Sequence, residues 1–305
     1  MDWHKRIEAA AARIEGHVRR TPVTHLAIPG LPDIEVKLEQ MQHTGTFKAR
    51  GAFNALVSGP VPAGGVVAAS GGNHGAAVAY AAAQLGIAAH IFVPEIAGPS
   101  KIALIRRSGA ELTVVPGTFA EAFAAALAHE ARTGAMQVHA YDSPETVAGQ
   151  GTCLREWEEQ GLQADTVLIA VGGGGLIGGA MAWLQGRRRV IGIEPETACG
   201  MHAALAAGAP VDVPVSGVAA NALGARRVGQ IAFDLARAQG VRSLLVRDAA
   251  ILEAQVALWQ ENRLLVEPAG AAALAALRSG VYRPEKGERV AVLLCGANLA
   301  PDPVG

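Results

Sequence analysis

The chain has 305 residues, enough for two domains with cores of their own; half of the residues are apolar, yet only 4% are aromatic. Its formal net charge of -1 argues against nucleic acid or an anionic membrane surface as partner. With so few rings, the cores must be built from Ala, Val, Leu and Ile.

The N-terminus carries Asp2, His4, Lys5 and Arg6 and has no apolar signal core. The first informative segment is Thr44-Gly45-Thr46-Phe47-Lys48-Ala49-Arg50-Gly51. Lys48 stands among small residues with no acidic neighbour, and glycines on both sides let another group approach closely. An amine so placed, once desolvated, can condense with an aldehyde. An ordinary lysine at a helix start fits the same eight residues, so the choice depends on the glycine-rich loops further along the chain.

A buried strand is expected over 66–70, from the apolar run Val66-Val67-Ala68-Ala69. The loop Ser70-Gly71-Gly72-Asn73-His74-Gly75 comes next, then a helix over 76–85 that stops at Gly86. Strand, glycine turn, helix is an anion-binding order, because the first amides of a helix point outward with the positive end of its dipole. Ser70 and Asn73 add side-chain donors suited to a carboxylate or a phenolate oxygen. Further strands are expected over 89–94, 111–115 and 136–140.

The second half repeats the arrangement. A strand over 166–171 runs into Gly172-Gly173-Gly174-Gly175 and then an apolar helix through Trp183. Four consecutive glycines are entropically expensive and fit a backbone that wraps a phosphate. No Lys and Ser or Thr come after them, so this is not the nucleotide P-loop. Residues 166–186 are uncharged and long enough to imitate a membrane span, but their glycines fit strand, turn and helix better. Gly173-x-Gly175-x-x-Gly178, with Glu194 ending the next strand, also fits the dinucleotide fingerprint; a nicotinamide oxidoreductase leaves the Lys48 segment and the Asn73-His74 loop unexplained. Strands over 189–194, 243–247 and 289–295 complete the series, and the alternation with helices argues for parallel α/β sheets.

Three scattered cysteines, Cys153, Cys199 and Cys295, point to reduced thiols in the cytoplasm. His129-Glu130 starts like a zinc-binding helix, but Thr133 stands where the second histidine belongs.

Taken in order, the three motifs resemble the fold-type II pyridoxal-phosphate enzymes, in the threonine/serine dehydratase and serine racemase group. Ala148-Gly149-Gln150-Gly151-Thr152, Val266-Glu267-Pro268-Ala269-Gly270-Ala271 and Cys295-Gly296-Ala297-Asn298 extend the likeness over nearly the whole chain. The resemblance implies two three-layer parallel-sheet domains of the tryptophan synthase β-like kind. The large one comprises 1–60 plus 145–305 and the small one 61–144, with pyridoxal 5'-phosphate in the cleft between them. It also implies roles. Lys48 carries the cofactor and then removes the substrate Cα proton. Phe47 lies against the ring and Asn73 donates to the ring hydroxyl oxygen. Ser70, Gly71, Gly72, Asn73 and His74 hold the substrate carboxylate. Gly172, Gly173, Gly174 and Gly175, with the Leu176 amide, bind the phosphate. Gly217 passes beside the cofactor, Glu267 sits near the ring edge, and Cys295 stands beside the pyridine nitrogen. Phe47, His74, Glu267 and Cys295 each also have a purely structural reading, as core, helix-start, helix N-terminal or strand residues.

A thiol at position 295 cannot hold the pyridine nitrogen protonated as a carboxylate would. That makes the ring a weaker electron sink and favours expulsion of a β-leaving group. Gly71 stands where the racemase has a serine that acts on the face opposite the lysine, which favours elimination over racemisation. Metal-activated relatives place an acid after the strand and another six residues later. Glu194 is present here, but Gly200 takes the second place, so no metal is expected. The expectation is a pyridoxal-phosphate lyase that dehydrates L-threonine or L-serine to a 2-oxo acid and ammonia, as a cytoplasmic homodimer. An eliminase of another 3-hydroxy amino acid, or a racemase, is the alternative.

Overall fold

The computed structural model describes residues 1–31 and 33–299, the side chain of Ser100 excepted. In chain order the elements are α1 (Trp3–Ile14), β1 (Val23–Leu26), β2 (Ile34–Leu38), α2 (Lys48–Val57), β3 (Val66–Ala69), α3 (Asn73–Leu85), β4 (Ala89–Pro94) and α4 (Pro99–Arg107). Then come β5 (Glu111–Val115), α5 (Phe119–Thr133), β6 (Met136–Gln137), α6 (Pro144–Glu159), β7 (Thr166–Ala170), α7 (Gly175–Leu184), β8 (Arg189–Pro195) and α8 (Gly200–Ala207). The last are α9 (Ala220–Leu223), α10 (Gln230–Gln239), β9 (Arg242–Val246), α11 (Asp248–Asn262), α12 (Pro268–Arg278) and β10 (Val290–Leu294).

Two sheets result. One has six strands in the order β1-β2-β10-β7-β8-β9, and the other has four in the order β5-β4-β3-β6. Every pairing is parallel except β1 with β2. β10 lies between β2 and β7, so a strand from residues 290–294 joins one from 34–38. The five residues of β7 and of β10 are all buried, as parallel strands with helices on both faces should be.

All eight expected strands exist; those over 89–94 and 111–115 match to the residue and the other six have shifted ends. The one expected over 136–140 is only Met136–Gln137; beyond it His139 accepts the N–H groups of Tyr141 and Asp142 on its own ring nitrogen, which turns the chain out of the sheet. The helix expected to start at Ala76 starts at Asn73. β1 and β2 were not expected. Of their residues only Ile34, Val36 and Leu38 give a short alternation, and the charged Glu35 and Lys37 between them are buried too, satisfied inside the protein. The last six residues assigned to the large domain, 300–305, lie outside the described residues.

The largest apolar core surrounds the six-stranded sheet. A second core combines β3, β4 and α3 with Ala49, Ala52, Phe53 and Leu56 of α2. α2 therefore packs on the smaller sheet while its polar side is held elsewhere. The Arg50 guanidinium, 1% exposed, donates to Glu39 (2.5 and 3.1 Å) and Glu156 (2.9 Å). Glu156 also accepts from Lys37 at 2.6 Å. Two cations and two carboxylates thus neutralise one another behind the helix that Lys48 begins.

Candidate active site

Lys48 is the first residue of α2. The chain reaches it through a tight turn in which Thr44 (φ 58°) and Gly45 (φ 70°) are left-handed. For a β-branched residue that conformation is strained and marks an over-determined site. The clamp is Asn298, whose amide donates to Thr44 O (2.8 Å) and to Asn73 Oδ1 (2.7 Å). Beyond the turn, Thr46 bridges to Gly296, and Phe47 N donates to Cys295 O at 3.2 Å. The end of β10 therefore sets where Lys48 starts.

The Lys48 amine donates to Ala140 O at 2.8 Å and lies 4.9 Å from the centre of the Phe47 ring. No carboxylate pairs with it among the described residues. Burial lowers its pKa from 10.5 to about 8, with the nearby Cys295 opposing. Such an amine is uncharged in a useful fraction near neutrality, as nucleophilic and base chemistry requires.

Lys48, Phe47, Cys295, Glu267 and Asn73 are brought together. Asn73 opens α3, is 9% exposed, and donates to Glu267 Oε1 at 2.6 Å. Glu267 is the N-cap of α12, with Pro268 at the first helical position; its burial raises its pKa from 4.5 to about 7. The Cys295 thiol contacts Ala269 O at 3.6 Å, and burial pushes it up to about 12, so it stays protonated.

The Ser70–His74 loop differs in part from the expectation. The Ser70 hydroxyl accepts the Gly72 N–H (3.2 Å). His74 is 7% exposed, its Nε2 meets Val138 O at 2.8 Å, and burial drops its pKa to about 3. It is a neutral ring tied to the backbone beyond β6, so it brings no positive charge to a carboxylate. At Gly71 a Cβ would overlap that of Ala97 and press on Pro94 and Val93. A serine side chain has no room there in this arrangement.

Gly174 is the N-cap of α7 at φ 94°, and no side chain caps the helix. The amides of its first turn precede the intrahelical ladder and are donors without an intrahelical acceptor. Side chains are excluded on all sides: a Cβ would strike Leu223 at Gly172, the Tyr141 ring at Gly173, Ala232 at Gly174, and Tyr141 again at Gly175. Tyr141 comes directly after Ala140, so the lysine and the glycine loop meet through two consecutive residues. Neither was singled out in the sequence. Tyr141 is one of three tyrosines, and only that scarcity in a loop would have marked it. Gly217 (φ 85°) faces Asp248 and Thr197, not the lysine, while the next residue, Val218, borders the cavity beside Glu267. Glu194 accepts from Met201 N and His202 N (2.8 Å each) and from the Ser243 hydroxyl. Its carboxylate is used up in starting α8. No group of three or more His, Cys, Asp or Glu residues placed to hold a metal exists among the described residues.

A half-buried amine with no carboxylate partner among the described residues, an aromatic ring beside it and an uncapped glycine helix start fit an aldehyde-bearing, flat, phosphorylated cofactor. The fold and the site thus define the class of fold-type II α/β enzymes. The chain belongs to the family of pyridoxal-phosphate dependent enzymes, whose model matches residues 14–296. It is 38% identical over 301 residues to the phenylserine dehydratase of Ralstonia pickettii, covering 96% of this chain and 92% of that one. To the L-threonine ammonia-lyase of Geobacter sulfurreducens it is 37% identical over 305 residues, covering 96% of this chain and 75% of the relative. The solved structure of maize serine racemase superposes with a TM-score of 0.92 at 31% identity, over 97% of this chain and 93% of that one.

Proposed function

We propose that the protein is a lyase that removes water from a 3-hydroxy amino acid, L-threonine or L-serine, and yields a 2-oxo acid and ammonia. One observation carries the reading: the half-buried Lys48 amine has no carboxylate partner among the described residues and a pKa lowered to about 8, while Gly71 has no side chain to serve as a second base and no room for one. The names of the two sequence relatives, a phenylserine dehydratase and an L-threonine ammonia-lyase, support it, while the maize serine racemase carries the name of the alternative. When bound, pyridoxal phosphate draws electrons from the substrate's Cα and so weakens the Cα–H bond.

In this reading Lys48 Nζ takes the Cα proton. The Cβ–O bond breaks, the hydroxyl leaves as water with one proton, and Cα and Cβ become doubly bonded. The released 2-amino-alkene tautomerises to an imine, and one water hydrolyses it to the 2-oxo acid and ammonia, so water balances overall. Cys295, protonated throughout, leaves the pyridine nitrogen without a strong acid. Gly172–Gly175 and the Leu176 amide hold the phosphate; Phe47 and Asn73 orient the ring, with Glu267 at its edge and Gly217 nearby; Ser70, the Gly71 and Gly72 amides and Asn73 receive the substrate carboxylate, with His74 as a neutral support. Residues 1–60 with 145–305 would act as the cofactor-binding domain and 61–144 as the smaller one. A cytoplasmic homodimer fits the three free thiols and the resemblance to this enzyme group.

The experiment is a 2-oxo acid assay over L-serine, L-threonine and phenylserine, with chiral chromatography of residual serine. Threonine or serine should give 2-oxo acid with little D-serine. D-serine appearing as fast as pyruvate would replace the lyase with a racemase. Turnover of phenylserine alone would keep the chemistry and change the substrate.

A further inference from the structure

Three lysines are wholly or partly buried, and they differ in what satisfies them. Lys37 meets Glu156 (2.6 Å), Gln160 Oε1 (2.6 Å) and Thr21 O (2.8 Å). Lys48 has the site chemistry described above. Lys101 is 7% exposed, and among the described residues its amine makes a single, long bond, 3.4 Å to Asn221 O, and no ion pair. A buried ammonium with three donors and one weak acceptor is an unfavourable arrangement unless an anion joins it. Its position adds to the cost. Lys101 is the third residue of α4, in the first turn, where the helix dipole opposes a cation.

The amine overlies the first glycine loop. A Cβ on Gly72 would stand 3.7 Å from Lys101 Nζ. Lys101 also lines a cavity of about 190 Å³ with Val218, Asn221, Glu267 and Asn298. Burial lowers the pKa of Lys101, and Glu267 opposes that shift, but its carboxylate accepts from Asn73 and its raised pKa, about 7, makes it a partial counter-ion at best. The loop itself supplies no charge: His74 is neutral, and the Ser70 hydroxyl already accepts an N–H.

We propose that Lys101 is the cation that binds the substrate's α-carboxylate, above the backbone of Ser70–Asn73. The assignment rests on the lyase reading for the identity of the substrate. It explains why a lysine is buried there with almost no partner, and it adds the charge that the loop lacks.

The test compares holoenzyme carrying Lys101→Met with Lys101→Arg and wild type. A charged hydrogen bond to a carboxylate is worth about 1.5–3 kcal/mol, so the Met variant should raise KM for L-threonine or L-serine about 10- to 100-fold. kcat should change far less, because the contact serves ground and transition states alike. Arginine should recover part of the loss, and the cofactor's visible absorbance should be the same in all three. Calorimetric titration with propionate, a carboxylate without an amine, should show binding to wild type and a matching loss in Lys101→Met. A fall in kcat with KM unchanged, or propionate affinity equal in the two (including none in either), overturns the proposal. A wild type that binds propionate through Lys101 yet dehydrates no hydroxy amino acid overturns only the lyase reading. Should Lys101→Met fail to fold, Lys101→Gln carries the same comparison.

Discussion

The two glycine loops begin alike and end differently. Each comes after a parallel strand and opens a helix, α3 after β3 and α7 after β7. Around α3 the polar side chains are occupied within the protein: Ser70 by Gly72, Asn73 by Glu267 and Asn298, His74 by Val138. At the start of α7 the donors are backbone amides that no side chain caps. The contrast teaches that a loop of bare amides suits a phosphate, which is spherical and wants several donors, whereas a loop of locked side chains suits an asymmetric ligand that must be oriented. Lys48 stands between the two, its amine on Ala140 O and its helix start tied to Cys295.

The largest effect should come from the shared residue. In the proposed reading, Lys48→Ala removes both the attachment point and the base. Turnover should fall by at least the 10²–10⁴-fold, as an order of magnitude, that general-base catalysis alone supplies, and the visible absorbance of the bound cofactor should vanish. Borohydride reduction of wild type, with peptide mass analysis afterwards, should place the cofactor on Lys48. A label on another lysine would end the comparison at its centre.

The α7 loop is broken selectively by Gly174→Asp. That change puts an L-residue at φ 94°, which costs about 1–2 kcal/mol, and a negative charge where phosphate is expected. Cofactor affinity, measured by fluorescence titration, should drop about tenfold or more. Gly178→Ala is the control: a Cβ there meets Ala232 Cβ at an ordinary 3.5 Å, so affinity should hardly move. Equal affinity in both variants would remove the phosphate from this loop.

The α3 loop is sharpened by a smaller effect, through pH. Glu267 binds its proton more tightly folded (about 7) than unfolded, near 4.5. Between those values the native state holds more protons, so this residue's contribution to stability falls as pH rises from about 4.5 to 7. Glu267→Gln, which keeps an acceptor for Asn73, should lose that slope. In thermal unfolding the variant should gain on wild type in going from pH 5 to pH 8. Parallel curves would mean that the carboxyl is not the buried acid of this loop.

Much of the site was readable because its parts are short and contiguous. Lys48, Asn73, the glycine run, Glu267 and Cys295 lie within motifs of four to eight residues whose composition is unusual for structure alone. What could not be read comes from elsewhere in the chain. Lys101 is an unremarkable residue in a helix, and Tyr141 a lone ring after a two-residue strand; only folding brings them to the loops. The same holds for the fold. Eight strands announced themselves as apolar runs, whereas β2 carries Glu35 and Lys37 and gains its place from partners more than a hundred residues away, such as Trp157 Nε1, which donates to Glu35 at 2.6 Å, and β1 with His25 then pairs with β2. Propensity could not show a buried charge that another segment satisfies.

The placement of β10 in the middle of the six-stranded sheet bears on the order of events during synthesis. β2 emerges early, yet its parallel neighbour, residues 290–294, is made about 250 residues later. Until then β2 and β7 each keep an open edge, and the segment that positions Lys48 has no Cys295 carbonyl to dock against. Closing so long a loop is slow, and open strand edges invite pairing with other chains. The smaller sheet, complete by residue 137, can form on the ribosome. The larger sheet must wait, so truncation before residue 290 should leave a folded small half attached to an aggregation-prone remainder.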